Sequence, residues 1–373
     1  MKTKNNTIIL VGGGTGGHAA PILAIYQRLK KTNKNLDITV FGVGTAEERY
    51  FFDKIPDYKI ICAGKMNRYA TWRNLVELLK AIIGFFQALY YIGLIRPKII
   101  FSKGGYVSLP MINAARLLGV PYFFHESDIE MGKVNVMMAK GAKKIFAAYP
   151  PESYKNLEIQ KFYWCGPILR EGFATKRVPN RELFSFDNKP IIFVTGGSQG
   201  SLHVSEKFLD AAEELIAQYN IIQQTGKFGA EIAEKFYNSL GDEKRSSYFF
   251  KDFLEIENGR DMMLEASAAS DVVIARAGST IVELAVMGKK MVLIPWQHAA
   301  QDHQAKNAAY FARNNSAIVI SDEKLCAETI TKAIRSVSSG DLGKIISENA
   351  INLFPTDGLE TVCDSIINEI EEI

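Results

Sequence analysis

The sequence predicts an α/β protein: two Rossmann-like, doubly wound parallel-sheet domains facing each other across a cleft. Three observations support this. Strands and helices alternate along the chain, the pattern that builds parallel sheets covered by helices on both faces. An apolar run, Ile8-Ile9-Leu10-Val11, leads into the turn Gly12-Gly13-Gly14-Thr15-Gly16-Gly17-His18 and then a helical stretch. The device returns at Ile191-Ile192-Phe193-Val194-Thr195-Gly196-Gly197-Ser198-Gln199-Gly200. Turns with so few side chains let backbone N–H groups approach a ligand, and the dipole of the following helix favours negative charge there.

The elements follow in order. Residues 7–11 are the first expected strand, and Pro21 suits the opening of a helix over 21–31. A second strand over 37–43 runs into Gly42-Val43-Gly44. A helix over 72–94, a strand over 98–101, a helix over 108–118 and strands over 121–124 and 144–147 complete the first half. The second half has expected strands at 190–195, 219–223, 247–250, 272–275 and 291–294. Its expected helices cover 203–218, 230–238, 280–287 and 304–313. Parallel strands buried on both faces are continuously apolar, as Ile99-Ile100-Phe101 and Met291-Val292-Leu293-Ile294 are. The polar stretch from Cys165-Gly166-Pro167 to Lys189-Pro190 reads as the junction. The expected organisation is therefore a first domain over 1–165, a linker over 166–189, a second domain over 190–350 and a C-terminal helix over 351–373.

At 373 residues two domains are the natural size, and 47% hydrophobic with 23% charged residues is ordinary for a globular protein. Cys62, Cys165, Cys326 and Cys363 are scattered without metal-ligand spacing, and no secretory leader precedes the first strand, which points to a reducing, cytosolic setting. The net charge of +3 hides an asymmetry: residues 1–165 hold 23 Lys and Arg against 11 Asp and Glu, and the remainder is acidic. The basic half is expected to meet something anionic, a membrane surface or a pyrophosphate. Nucleic acid is disfavoured, since no binding motif accompanies the charge. The segment Ala81–Ile95 is the most apolar in the chain, yet at about 15 residues it falls short of a bilayer span. It reads either as a buried helix covering the first sheet or as an exposed face touching lipid, helped by Lys65, Arg68, Arg73, Lys80, Arg96 and Lys98.

The first turn formally contains Gly12-x-Gly14-x-x-Gly17, a dinucleotide fingerprint, but the second strand ends without the acid that binds ribose. A nicotinamide-dependent oxidoreductase is disfavoured on that ground. His18, at the helix start, faces whatever the turn cradles. Further informative stretches are Ser102-Lys103-Gly104-Gly105-Tyr106-Val107-Ser108, His125-Glu126-Ser127-Asp128, Arg276-Ala277-Gly278-Ser279-Thr280-Ile281-Val282-Glu283, and Pro295-Trp296-Gln297-His298 followed by Asp302-His303-Gln304. In this order, from the first strand to about residue 320, the chain resembles the MurG family, bacterial UDP-N-acetylglucosamine:lipid I N-acetylglucosaminyltransferases of peptidoglycan synthesis.

The resemblance implies a GT-B fold, with acceptor bound mainly by the first domain and donor by the second. It implies inverting transfer of N-acetylglucosamine from UDP to the 4-hydroxyl of the muramyl sugar of lipid I, giving lipid II and UDP. It implies peripheral attachment to the cytoplasmic face of the bacterial inner membrane. Thr15, Gly16 and Gly17 would bind substrate, and Asp128, which stands where the family usually has Asn, would lie near an acetamido group and accept its N–H. Glu283 would accept hydrogen bonds from both ribose hydroxyls, Arg170 would meet the nucleotide, and the Leu254 backbone would read uracil. Ser198 would hold a diphosphate oxygen, Ser279, Thr280, Ile281 and Val282 would form the donor loop, and Gln304 would contact the donor sugar. Ser205 replaces a family Asn, the 278–283 loop is one residue short, and 255–260 looks like an insertion. His18 is a candidate general base, with an unperturbed pKa of about 6.5 suited to neutral pH. Glu126 either takes the proton or orients the acceptor, and Tyr106 hydrogen-bonds the acceptor. No Asp-x-Asp pair occurs, so no cofactor or metal is expected, and helix N-termini and backbone donors are expected to stabilise the leaving group. The competing readings are a transferase acting on another lipid such as diacylglycerol, and a non-catalytic nucleotide-sugar binding protein.

Overall fold

The computed structural model describes residues 6–65, 72–154, 159–173, 180–197, 200–258, 260–297 and 302–372. The chain divides into two units, Met1–Arg170 with Pro355–Ile373 and Glu171–Phe354.

The first unit is built on a seven-stranded sheet, each of whose paired strands runs parallel to its neighbour. Its strands are β1 (Thr7–Val11), β2 (Asp37–Gly42), β3 (Tyr58–Ile60), β4 (Ile99–Ser102), β5 (Tyr122–Glu126), β6 (Lys144–Ala147) and β7 (Phe162–Trp164), in the order β3-β2-β1-β4-β5-β6-β7. Register is set by apolar pairs such as Ile9 with Ile100 and Phe101 with Phe123. The helices are α1 (Gly16–Thr32), α2 (Ala46–Phe52), α3 (Trp72–Ile95), α4 (Ser108–Leu117) and α5 (Lys133–Ala139). The order reverses between β1 and β4, the switch point outside whose carboxyl ends open α/β sheets bind ligands. The glycine turn after β1 and the Lys103–Tyr106 turn after β4 both lie there.

The second unit has six parallel strands: β8 (Ile191–Thr195), β9 (Asn220–Gln224), β10 (Tyr248–Lys251), β13 (Val272–Ala275), β14 (Lys290–Leu293) and β15 (Ile318–Val319). They run β10-β9-β8-β13-β14-β15, with the switch point between β8 and β13. The suspected insertion forms a two-stranded antiparallel hairpin, β11 (Ile256–Glu257) with β12 (Arg260–Asp261). Helices α6 (Leu202–Leu215), α7 (Gly226–Ser239), α8 (Asp242–Arg245), α9 (Met262–Ala269), α10 (Thr280–Val286), α11 (His303–Arg313), α12 (Ala327–Ser338) and α13 (Asp341–Ile351) belong to this unit. The last helix, α14 (Gly358–Glu371), packs on α1, burying Val362, Cys363 and Ile366 in the core of the first unit.

Three differences from the sequence reading have physical causes. Helix α1 begins at Gly16, five residues before Pro21. The hydrogen bond Pro21 forgoes falls on Gly17, which is exposed, so water can replace it. His18 therefore lies inside the first helical turn. The short strands β3, β7 and β15, of two or three residues, lie at sheet edges and carry too few residues for a periodic signal. Helix α3 is not a buried cover for the sheet. Trp72, Leu75, Leu79, Ile83, Phe86, Tyr90 and Leu94 are all more than half exposed, while Gly84, Ala88 and Ile92 form the narrow buried strip. That strip packs against α4, and Gln87 Oε1 accepts the N–H of Cys62 at 2.8 Å.

Candidate active site

In the first unit, Thr15 is the N-cap of α1 with an extended backbone, but its hydroxyl does not cap the helix. It lies 2.8 Å from His18 Nδ1 and fixes that ring nitrogen. Burial, with the ammonium of Lys103 close by, lowers the His18 pKa to about 4, so the imidazole is neutral at physiological pH. Gly14 and Gly105 both hold positive φ (84° and 80°). A side chain at Gly14 would collide with the Tyr106 ring, and one at Gly105 would come within 3.6 Å of the His18 ring. The two glycine-rich turns thus bring His18 and Tyr106 together, each partly accessible. Gly16 is buried and Gly17 exposed.

Glu126 ends β5 and is buried, and four donors converge on its carboxylate. Oε1 accepts from the N–H of Ser127 (2.8 Å) and Asp128 (3.0 Å), and Oε2 from the N–H of Gly132 (3.0 Å) and from Asn135 Nδ2 (2.8 Å). Burial and the neighbouring Asp128 push its pKa up, while the donors and Lys103 oppose the shift. Both carboxylate oxygens are thus engaged in shaping the loop. His125 is buried beside it, Nε2 2.9 Å from the Gly166 carbonyl. The Asp128 carbonyl accepts from the Tyr154 hydroxyl at 2.9 Å, and the residue is half-buried.

Sequence reasoning missed Glu48. No acid ends β2, but Glu48 reaches the same place from α2. It accepts from the N–H groups of Gly14, Val43 and Gly44 and from the Tyr58 hydroxyl, and it is fully buried.

In the second unit, Gly197 and Gly200 adopt positive φ (83° and 75°) in the turn after β8. Ser198, expected to hold a diphosphate oxygen, lies outside the described residues. Gln224 braces the turn from β9, donating to the Gly197 carbonyl at 3.0 Å while its Oε1 accepts the Leu254 N–H at 3.2 Å. The Leu254 side chain is buried and its N–H is taken. Arg276, 8% exposed, ties the site together. It donates to Ser201 Oγ at 2.9 Å, to the Ile294 carbonyl at 3.1 Å and to Asp322 at 2.7 Å. Ser201 in turn caps α6.

The loop after β13 enters α10 through Ser279 and Thr280, both partly exposed. Ile281 and Val282 are buried, and their N–H groups turn back to Gly278 and Ser279. Glu283 is half-buried on the next turn. Gln304, in the first turn of α11, accepts the Trp296 N–H at 2.9 Å through Oε1. Ser205 packs against Gly229 of α7 and is 4% exposed, so this position serves helix packing here. Arg170 is the last residue of the first unit and is partly accessible. Among the described residues no three His, Cys, Asp or Glu side chains cluster as a metal site.

Residues 8–147 match the glycosyltransferase family 28 N-terminal domain and residues 191–352 its C-terminal domain. A UDP-N-acetylglucosamine–N-acetylmuramyl-(pentapeptide) pyrophosphoryl-undecaprenol N-acetylglucosamine transferase of Clostridium kluyveri is 31% identical over 98% of this chain and 99% of its own. One of the same name from Clostridium botulinum is 32% identical over 92% and 96%. Among solved structures, MurG of Acinetobacter baumannii superposes with a TM-score of 0.70 at 22% identity, covering 97% of this chain and 99% of that one. A putative UDP-N-acetylglucosamine 2-epimerase of Listeria monocytogenes reaches 0.69 at 12% identity, covering 99% and 97%, a likeness of fold alone. With two switch-point turns of the expected kind, both family 28 domains and relatives aligned nearly end to end, this chain belongs to the MurG family of glycosyltransferases.

Proposed function

We infer that this chain transfers N-acetylglucosamine from UDP to the 4-hydroxyl of the N-acetylmuramyl sugar of lipid I, with inversion, yielding lipid II and UDP. The observation that carries this reading is the near-complete alignment with transferases of that name. The geometry supplies a mechanism. His18, neutral and held at Nδ1, is the general base in the tautomer that donates Nδ1–H to Thr15 and leaves Nε2 open. Nε2 takes the acceptor proton as the oxygen attacks the anomeric carbon. The bond to the diphosphate breaks on the opposite face, and UDP departs with the electron pair. Tyr106 and Asp128 hold the acceptor sugar, with Glu126 shaping the loop that presents Asp128. The N–H groups of the Gly196–Gly200 turn, with Ser198 and the N-terminus of α6, meet the charge developing on the diphosphate. Glu283 binds the ribose, the Leu254 carbonyl reads the base, Arg170 meets the nucleotide and Gln304 the sugar hydroxyls.

The protein is peripheral at the cytoplasmic face of the plasma membrane. Helix α3 is long and apolar enough to cross a bilayer by length and composition. However, it is the crossover between β3 and β4 and stays packed on α4 along one side, so it suits lying in the interface. Its exposed apolar face, on the basic half of the chain, is the surface that meets anionic lipid.

The test is turnover of radiolabelled UDP-N-acetylglucosamine with a lipid I analogue or diacylglycerol as acceptor, each with and without EDTA. We expect lipid II from lipid I, surviving chelation, and a loss of kcat of about 10²–10⁴-fold in His18→Ala. Product from diacylglycerol alone would overturn the reading.

A further inference from the structure

Lys103 has no part in the mechanism above, yet it is among the most enclosed charges in the molecule, 2% exposed at the switch point of the first sheet. It touches three loops at once. Its N–H donates to the Val11 carbonyl at 2.8 Å, at the end of β1. Its stem lies beneath the glycine turn, where a Cβ on Gly12 would stand 3.1 Å from Lys103 Cβ. Its Nζ crosses to the loop after β5 and donates to Ser127 Oγ at 2.5 Å. A cation removed from water is costly unless opposite charge faces it. Here Glu126 and Asp128 do so from the β5 loop.

We propose that Lys103 is a positioning residue for the proton transfer: its ammonium ties the Glu126–Asp128 segment to the floor of the site and repels a second positive charge at His18. This deepens the reading of His18 as base and rests on it. The surroundings fix the direction of each effect. The ionisable groups around this floor are His18 on α1, His125 and Glu126 on β5, Asp128 beyond it, Cys165 after β7, Glu48 from α2 and Tyr106 beside the glycine turn. The Lys103 charge disfavours the imidazolium of both His18 and His125 and favours the carboxylate of Glu126. Without that cation, burial would drive Glu126 towards its protonated form. A neutral carboxyl holds four donors poorly, and the loop bearing Asp128 would loosen. A methionine would fill the same space and supply neither the charge nor the donor.

The experiment uses full-length Lys103→Met and Lys103→Arg. It follows the His18 ring protons by NMR across pH 4–9, assigned with His18→Gln, alongside the pH profile of kcat/KM. We expect His18 in the parent to titrate near the acid end. The arginine variant should follow it. In the methionine variant the midpoint should move up, with burial still holding it below the ordinary histidine value of about 6.5, and the acid limb of kcat/KM should move with it. A folded methionine variant whose His18 titrates as in the parent overturns the proposal. So does a parent midpoint at or above about 6. Should the methionine variant fail to fold, Lys103→Gln, which keeps a donor for Ser127 without the charge, decides by the same measurement. The NMR midpoint reports the coupling between Lys103 and His18 directly. A failure of His18 as base, seen as undiminished turnover in His18→Ala, is therefore distinguishable from a failure of the role given to Lys103.

Discussion

Glu48 shows how much of an active site is held by residues that never touch a substrate. Its carboxylate gathers three backbone N–H groups and a tyrosine hydroxyl, and one of the three, Gly14, belongs to the turn that positions His18. Replacing Glu48 by alanine strands these donors in a buried setting, where each unsatisfied group costs about 1–3 kcal/mol. We expect Glu48→Ala to lower unfolding stability by about 3 kcal/mol or more in urea titration. In folded protein the loss of activity should fall on kcat more than on KM for the nucleotide, because the disturbance is on the acceptor side. The sequence hid this residue because no acid stands at the C-terminal end of the second strand. Only the return of α2 over the glycine turn brings the carboxylate there. The sequence singles out His18 because it closes a run of small residues at a helix start. The four donors on Glu126 were not legible, because they come from a loop whose path no pattern of residue types predicts.

At the scale of the element, α3 separates two properties that the sequence confounds. A long apolar run is compatible with a core helix or with a surface meant for lipid, and composition cannot distinguish them. The strip of Gly84, Ala88 and Ile92 is too narrow to cover a sheet, and the broad remaining face is left in water. Exposed apolar faces of this extent in soluble domains mark interaction surfaces. Replacing Ile83 and Phe86 together by glutamate should therefore change folding stability by less than about 1 kcal/mol, as surface substitutions do. The same variant should lose cosedimentation with vesicles containing anionic lipid, and turnover of water-soluble acceptor analogues should persist. Vesicle binding equal to that of the parent would move the lipid-facing surface elsewhere.

For the molecule as a whole, the chain ends where it began. After the second unit, α14 returns to α1 and seals the first core with Val362, Cys363, Ile366 and part of Ile370. Burying a side chain of this size contributes about 1.5–3 kcal/mol relative to exposure. Removing residues 355–373 should thus take roughly 5 kcal/mol or more from the first unit and leave the second nearly unchanged. Calorimetry that resolves the two transitions checks this: the first should drop sharply while the second holds. A uniform fall in both would mean that the helix does not act through the α1 contact.

Fold class and the two glycine-rich turns could be read from the order of residues alone. Strand alternation, residue size in a turn and the order of short motifs are local properties, written in consecutive residues. Folding alone set which distant groups meet: Glu48 under Gly14, Lys103 beside Gly12 and Ser127, Arg276 between Ser201 and Asp322, α14 against α1. The physical reason is that such pairings join residues far apart in the chain. Their energies arise from desolvation and geometry that exist only once neighbouring strands have set the loops side by side.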